Sequence, residues 1–539
     1  MNIVPQEHID EYTAKGWWGT ETLSDRVRAN ASARGDVTAF VNESVRLDWK
    51  TFDDLADRIA AHLMREGLSA GQRIGVLLED GPLVHATYVG AERAGVVVVG
   101  LGGRAGDREL QYLLTRTDAV SLVSRAQHRG DDMEARAQRL AVPGLTWLGI
   151  DEDLPPASEA DRIEMQARRI GPNELFLLNS TSGTTGMPKL VTQFQNRWFF
   201  YLQLAQRAAN LTPDDVFMSV VPAPFGFGLW TAHFIPTLLG APTVVMSKFD
   251  ATEALRMIER ERVTVLAAVS TQFLLMLNSP EMGNLDLSSL RAMFTGGEAV
   301  PYEKAAAFEE RTGAAVLQFF GSNETGGFSG TTLADTRERR LTSAGRVLPE
   351  MNVRLFDDDG NDVTATGGPA QPGGHGPAMC AGYFDDDAAN AELYTADGDM
   401  LMGDYVTIDE EGYLTVVGRK SDFIIRGGKN ISAPAVEAEV AQHPSIDLAA
   451  AIAAPDEVFG ERVLVVVTLV PGASATLADI NAMLAERGVT REMFPEYLAI
   501  VDEMPIASGG KIAKSALKDQ VADLVARAET TINAASPVR

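Results

Sequence analysis

Residues 180–189 read STSGTTGMPK, with two glycines and five hydroxyls ahead of a lysine. Thr181, Ser182, Thr184 and Thr185 bring hydroxyl donors. Gly183 lets the backbone approach a ligand closely, and Lys189 adds a point charge. Such a set suits phosphate oxygens. The same composition also describes a plain surface loop. It is not the strand–loop–helix nucleotide motif, which closes on Gly-Lys-Ser/Thr: here Pro188 precedes the lysine and Leu190 follows it. Later stretches again pair glycines with charge: FTGGEAVP at 294–301, FFGSNETGG at 319–327, MGDYVTIDEEGY at 402–413, KSDFIIRGGKNISAP at 420–434 and PIASGGKIAK at 505–514.

The elements that must position these stretches alternate. Residues 73–78 (strand), 82–94 (helix), 96–101 (strand), 107–114 (helix) and 119–123 (strand) argue for an α/β sheet. Residues 37–49 predict a pair of strands around 42–44, and 51–66 an amphipathic helix with Thr51 as its N-cap. Residues 151–167 are acidic, proline-bearing and poorly periodic, and read as a surface connection. An apolar run at 175–178 predicts a buried strand leading into the phosphate-type loop. Alternation resumes through 196–319. From about 338 to 417 helices thin out and glycines accumulate, the signature of a β-rich subdomain. Residues 432–524 read as a small α+β domain, with Ser432 and Pro434 as ordinary cap chemistry.

The chain has 539 residues, 45% hydrophobic, which is ample for a large core and too long for one ordinary domain. A net charge of −27 argues against nucleic acid as the main partner. The single cysteine, Cys380, excludes an internal disulfide framework and fits a reducing cytosol. The first 18 residues lack the basic and apolar blocks of a signal peptide, and the longest apolar runs are strand-sized. A cytoplasmic protein, without a membrane partner, is expected.

Taken in order, these stretches resemble the adenylate-forming superfamily: acyl- and aryl-CoA ligases, aryl acid–AMP ligases, peptide-synthetase adenylation domains and luciferases. The resemblance covers roughly residues 23–524. It implies two stacked α/β sheets in a large N-terminal domain (1–419), with the β-rich subdomain, and a small mobile α+β C-terminal domain (420–539). It assigns Thr181, Ser182, Gly183, Thr184, Thr185 and Lys189 to the ATP phosphates. Gly296, Gly297, Glu298, Phe319, Phe320, Gly321, Ser322 and Asn323 flank adenine and part of the acyl pocket. Asn323-Glu324 stands where the family carries Thr-Glu. By this resemblance Glu324 is the candidate catalytic carboxylate and Mg²⁺ ligand, since a carboxylate beside a triphosphate is a good hard ligand; taken singly it reads as a loop glutamate in water. The resemblance further implies that Asp404 accepts from the ribose hydroxyls and that Arg419 approaches the ribose or phosphates.

The hinge position holds Ser421, where relatives often have Asp or Lys. Arg426, Gly427, Gly428 and Lys429 resemble the turn that enters the site for thioester formation. Lys511 maps to the catalytic lysine. A substrate carboxylate must approach a negative α-phosphate, and a cation between them offsets the repulsion. Lys514 and Lys518 read as surface lysines. The acyl pocket is least legible. VPAPFGFGLW at 221–230 has Phe225 where many relatives have histidine. Phe225, Phe227, Gly228, Ser270 and Thr271, with Gly296 and Gly321, are the candidates; the glycines either leave room for a bulky acid or serve backbone geometry.

The implied activity is a two-step acid–CoA ligase, for an aromatic, alicyclic or other bulky carboxylic acid, using ATP, Mg²⁺ and coenzyme A. Two alternatives stay open: an acyl-AMP ligase that loads an acyl carrier protein or leaves thiolation to another protein, and a nucleotide-binding regulatory protein without turnover. The oligomeric state is open, a homodimer included.

Overall fold

A computed structural model of the chain describes residues 2–180, 188–297, 300–419, 422–426, 429–456, 458–507 and 510–530. Two sheets dominate its larger part. One has nine strands, in the order Arg346–Val347, Gly326–Gly330, Ala315–Ser322, Ala292–Gly296, Val265–Ala267, Phe217–Ser219, Thr243–Val245, Thr38–Val41 and Arg46–Asp48. Its centre is parallel and its edges antiparallel. The other has six strands, with Leu177–Ser180 between Val97–Gly100 and the antiparallel edge strand Leu190–Gln193. The central parallel strands are buried at successive positions, so they are apolar without alternation. Val97–Gly100 is buried at every position, as is the neighbouring helix Pro82–Ala94.

The topology explains the glycine-rich stretch. It joins two antiparallel neighbours, Leu177–Ser180 and Leu190–Gln193, so it is a hairpin connection and not a strand–loop–helix turn. Asn323 and Glu324 sit in a second hairpin connection, between Ala315–Ser322 and Gly326–Gly330. Smaller antiparallel sheets follow, Arg354–Phe356 with Gln371–Gly374 and Met400–Leu401, then Asp404–Ile408 with Leu414–Arg419. The latter pair places Asp404 directly opposite Arg419.

The small C-terminal part is built on the long hairpin Ile446–Asp456 and Gly460–Leu469. Its apolar run is buried on both faces. Val463, Val465 and Val467 pack with Val436, Val440, Ile480 and Leu484 in a core of their own. Leu464 and Val466 share a cluster with Leu517 and Leu524 and with Phe273, Met276 and Phe308 of the large part. Asn278 and Asp447 are hydrogen-bonded across the same junction.

Local chemistry corrects three expectations. The helix Trp49–Arg65 begins before Thr51: Asp48 is the N-cap, and its carboxylate accepts from the Thr51 N–H. Residues 151–167 are not all connection. Glu159–Arg168 is a helix, started by a capping box between Ser158 and Asp161. Its mostly exposed faces hide the period. Lys514 is no plain surface lysine; it pairs with Glu437 at 2.7 Å and lies beside Asp422.

Among the described residues no helix is long and apolar enough to cross a membrane. The helix Ser270–Leu277 touches both parts of the chain, and Phe273 anchors it, fully buried and edge-on to Phe308. Phe273→Ala is expected to cost about 3–5 kcal/mol, read as a lowered unfolding midpoint in denaturant.

Candidate active site

The centre of the site is a polar lattice beneath the second hairpin. Asn179 and Gln193, on neighbouring strands, are both fully buried. The Asn323 amide donates to Asn179 Oδ1 at 2.8 Å, and the Asn179 and Gln193 amides donate to Asn323 Oδ1, each at 3.1 Å. Arg197, also fully buried, stands on the helix Gln195–Ala209. It donates to Gln193 Oε1 at 2.7 Å, to the Ala378 carbonyl at 2.8 Å, and to the carbonyls of Asn323 (3.0 Å) and Glu324 (3.3 Å). Among the described residues no carboxylate pairs with Arg197. The Asn323-Glu324 step is thus fixed from below by neutral acceptors around a buried cation.

Glu324 is held from above as well. Its Oε1 accepts from the Tyr383 hydroxyl at 2.8 Å, and its carbonyl accepts from the Cys380 N–H at 2.8 Å. Burial first, then the Glu324 charge, pushes the Tyr383 phenol pKa far up, so it is a donor. The Lys189 ammonium lies over the Tyr383 ring, 4.8 Å from its centroid. Lys189 and Glu324, distant in sequence, therefore share one neighbour. Cys380 is buried, and burial raises its thiol to about 11, which fits a packing role and not a nucleophile.

Asp404 and Arg419 are paired at 3.0 Å by the hairpin register. Asp404 raises the Arg419 pKa, and Asp422 and Glu324 add to that field. Asp404 is buried and Arg419 is partly open, so the carboxylate can accept at its second oxygen while one is engaged.

The C-terminal loop reaches the same region. Lys511 Nζ donates to the Gly297 carbonyl at 2.6 Å, across 214 residues of chain. Gly297 has φ +79°, and a Cβ there would stand 2.6 Å from that ammonium, so a side chain would displace the lysine. Ala507 N–H donates to the Lys511 carbonyl at 2.7 Å and closes the loop. Gly510 packs against Gln272, whose amide donates to the Val220 carbonyl at 2.6 Å.

Aromatic rings cluster beside this region. Trp230 stacks on Phe294 (5.7 Å) and meets Phe319 (4.8 Å) and Phe227 (5.8 Å) near edge-on. Phe225 and Phe227 are half-buried, whereas Phe320 is buried. Trp230 sits in a wide helical turn, Leu229–Phe234, a form frequent at functional sites. Gly228 does not open a pocket: a Cβ there would lie 2.5 Å from the Val221 and Pro222 carbonyl oxygens, so the backbone takes that space. Gly226 likewise makes way for Asn323 Oδ1, which a Cβ would approach to 2.7 Å. Beneath them Asp80 accepts from the Ala223 N–H and from His85, which faces His233 at 3.1 Å. Burial, then His85, holds His233 well below its ordinary pKa, hence neutral.

Ser270 and Thr271 are buried at a helix start. Thr271 lines a cavity of about 680 Å³ between the large and small parts, along with Asp80, Ala223, Gln272, Met504 and Gly510. Arg426 and Lys429 are paired with Glu496 and Glu492 inside the small part. Thr181, Ser182, Gly183, Thr184, Thr185, Glu298, Ser421, Gly427 and Gly428 lie outside the described residues. Gly296 and Gly321 are backbone-packed strand positions, and Ser322 Oγ accepts from the Glu324 N–H at 3.2 Å.

Sequence reasoning missed Asn179, Gln193, Arg197, Trp230 and Tyr383. Their signal was weak: polar residues in apolar strands, and aromatics that read as core. For a metal, Glu324 offers one hard carboxylate, and among the described residues no cluster of three metal-ligating side chains exists. One carboxylate fits Mg²⁺ carried mainly by phosphate oxygens and water.

Comparison with known proteins agrees with this geometry. Residues 27–384 match the AMP-binding enzyme family, and residues 435–511 match the AMP-binding enzyme C-terminal domain. The chain is similar to a salicylyl-CoA synthase / salicylate adenylyltransferase of Streptomyces sp (30% identity, 96% of this chain, 97% of that one). It is also similar to a salicyl-AMP ligase / salicyl-S-ArCP synthetase of Mycobacterium tuberculosis (31% identity, 96% and 94%). Among solved structures, the anthranilate CoA ligase AuaEII in complex with anthranoyl-AMP superposes with a TM-score of 0.83 at 22% identity, over 94% of this chain and 98% of that one. The match spans more than half of the chain and includes both parts, so this protein belongs to the AMP-binding, adenylate-forming enzyme family.

Proposed function

We propose that the protein is an ATP-dependent acid–CoA ligase for an aromatic carboxylic acid. The observation that carries the reading is Lys511: its ammonium, delivered by the C-terminal part, rests on the Gly297 carbonyl beside the strand that neighbours Phe319. A cation there meets both a substrate carboxylate and an α-phosphate, and offsets their repulsion as charge spreads in the transition state. Lys189 belongs with the phosphates and Asp404 with the ribose hydroxyls. Glu324 would hold Mg²⁺, which neutralises phosphate charge when bound. In this reading residues 1–419 bind nucleotide and acid, and residues 420–539 turn to exchange Lys511 for the stretch that carries Arg426 and Lys429. Exclusion of water protects the mixed anhydride meanwhile.

The aromatic preference rests on Trp230, Phe294, Phe319 and half-buried Phe227, since flat rings pack well on aromatic faces. Relatives named for salicylate point the same way. A second reading, loading of an aryl carrier protein, is favoured by the relative named as a salicyl-S-ArCP synthetase.

Acid-dependent pyrophosphate exchange is expected with benzoate-type acids and not with medium-chain fatty acids; the reverse order would overturn the aromatic assignment. Adding coenzyme A, then a phosphopantetheinylated carrier, should give a thioester with coenzyme A; acylation of the carrier only would select the second reading. Lys511→Ala is expected to lower exchange by about a hundredfold or more. It should still form thioester from supplied acyl-adenylate. Normal exchange in that variant would remove Lys511 from the mechanism.

A further inference from the structure

Tyr383 lies on a segment that continues the hairpin edge. The Gly382 carbonyl accepts from the Thr192 N–H (3.1 Å) and hydroxyl (2.8 Å), and Phe384 N–H donates to the Leu190 carbonyl at 2.8 Å. Asn390 clamps the Tyr383 backbone on both sides, accepting from its N–H at 2.7 Å and donating to its carbonyl at 2.9 Å. The side chain is therefore aimed by backbone contacts, not by its own ligand contacts. Its hydroxyl engages Glu324 Oε1 at 2.8 Å, and its ring faces Lys189 Nζ at 4.8 Å.

We propose that Tyr383 is a positioning residue that couples the metal-binding carboxylate to the phosphate-binding lysine. This rests on the adenylating function proposed above. The hydroxyl engages Oε1 and so restricts rotation of the carboxylate, whose other oxygen would be the one to offer a metal. The ring face seats the Lys189 ammonium by attraction to its quadrupole. Two groups on different hairpins, one anionic and one cationic, then keep a constant separation, as a metal–triphosphate requires. Arg197 fixes the Glu324 backbone and Tyr383 fixes its side chain.

Two variants separate the roles. Tyr383→Phe keeps the ring and loses the hydroxyl; Tyr383→Leu loses both. ATP affinity is measured by calorimetry with Mg²⁺ and with EDTA, and Mg²⁺ half-saturation and the acid KM by pyrophosphate exchange. For Tyr383→Phe, Mg²⁺ half-saturation should rise about tenfold, the worth of one hydrogen bond to a charged group. The calorimetric gain from Mg²⁺ should shrink to match, while metal-free ATP affinity and the acid KM stay unchanged. Tyr383→Leu should also weaken metal-free ATP binding by about two- to fivefold. Unchanged Mg²⁺ dependence in Tyr383→Phe, or a parallel change in the acid KM and the melting temperature, overturns the proposal. If the natural protein exchanges pyrophosphate with no acid, the functional reading fails by itself, and calorimetry still decides the role of Tyr383.

Discussion

A guanidinium without a carboxylate partner among the described residues is buried at the heart of this molecule. Removing a full charge from water costs several kcal/mol unless hydrogen bonds replace hydration. Arg197 finds that replacement in Gln193 Oε1 and in the carbonyls of Ala378, Asn323 and Glu324. Those four acceptors come from three separate stretches of chain, so none can shift without uncovering the charge. The constraint runs outward from there. Gln193 and Asn179 tie the hairpin that carries the glycine-rich connection to Asn323, and Cys380 and Tyr383 tie the β-rich part to Glu324. Glu324 is thereby held at its backbone and at its side chain alike.

Lys511 is held differently. It stands on the smaller part and donates to a backbone carbonyl of the larger one. A carbonyl contact is weaker than an ion pair with a carboxylate, and it can be exchanged. The junction beside it combines apolar side chains, Leu464 and Val466 with Phe273 and Met276, and an open cavity of about 680 Å³. The Glu324 side is thus held by many contacts within one part, whereas the Lys511 contact bridges the two parts.

The glycines show how one residue type serves two ends. At Gly297 a missing side chain makes room for another residue's ammonium. At Gly228 it makes room only for the chain's own carbonyls. Both positions look alike in the sequence, because composition records that Cβ is absent and not what stands in its place.

Most of the fold was legible. Strand–helix alternation, the β-rich stretch before residue 417 and the small terminal domain follow from periodicity, which reports burial directly. Boundaries set by one cap, such as Asp48 and Ser158, were not legible to the same degree, because a single hydrogen bond decides them. By itself the sequence determined the family and the chemistry on offer: phosphate-type donors, Glu324, Asp404 and Lys511 in a fixed order. Only tertiary structure decided which of these meet, and through which neighbours. Arg197, Tyr383 and Trp230 have no motif, since an arginine, a tyrosine or a tryptophan acquires its role from what the folded chain places within about 3 to 6 Å of it.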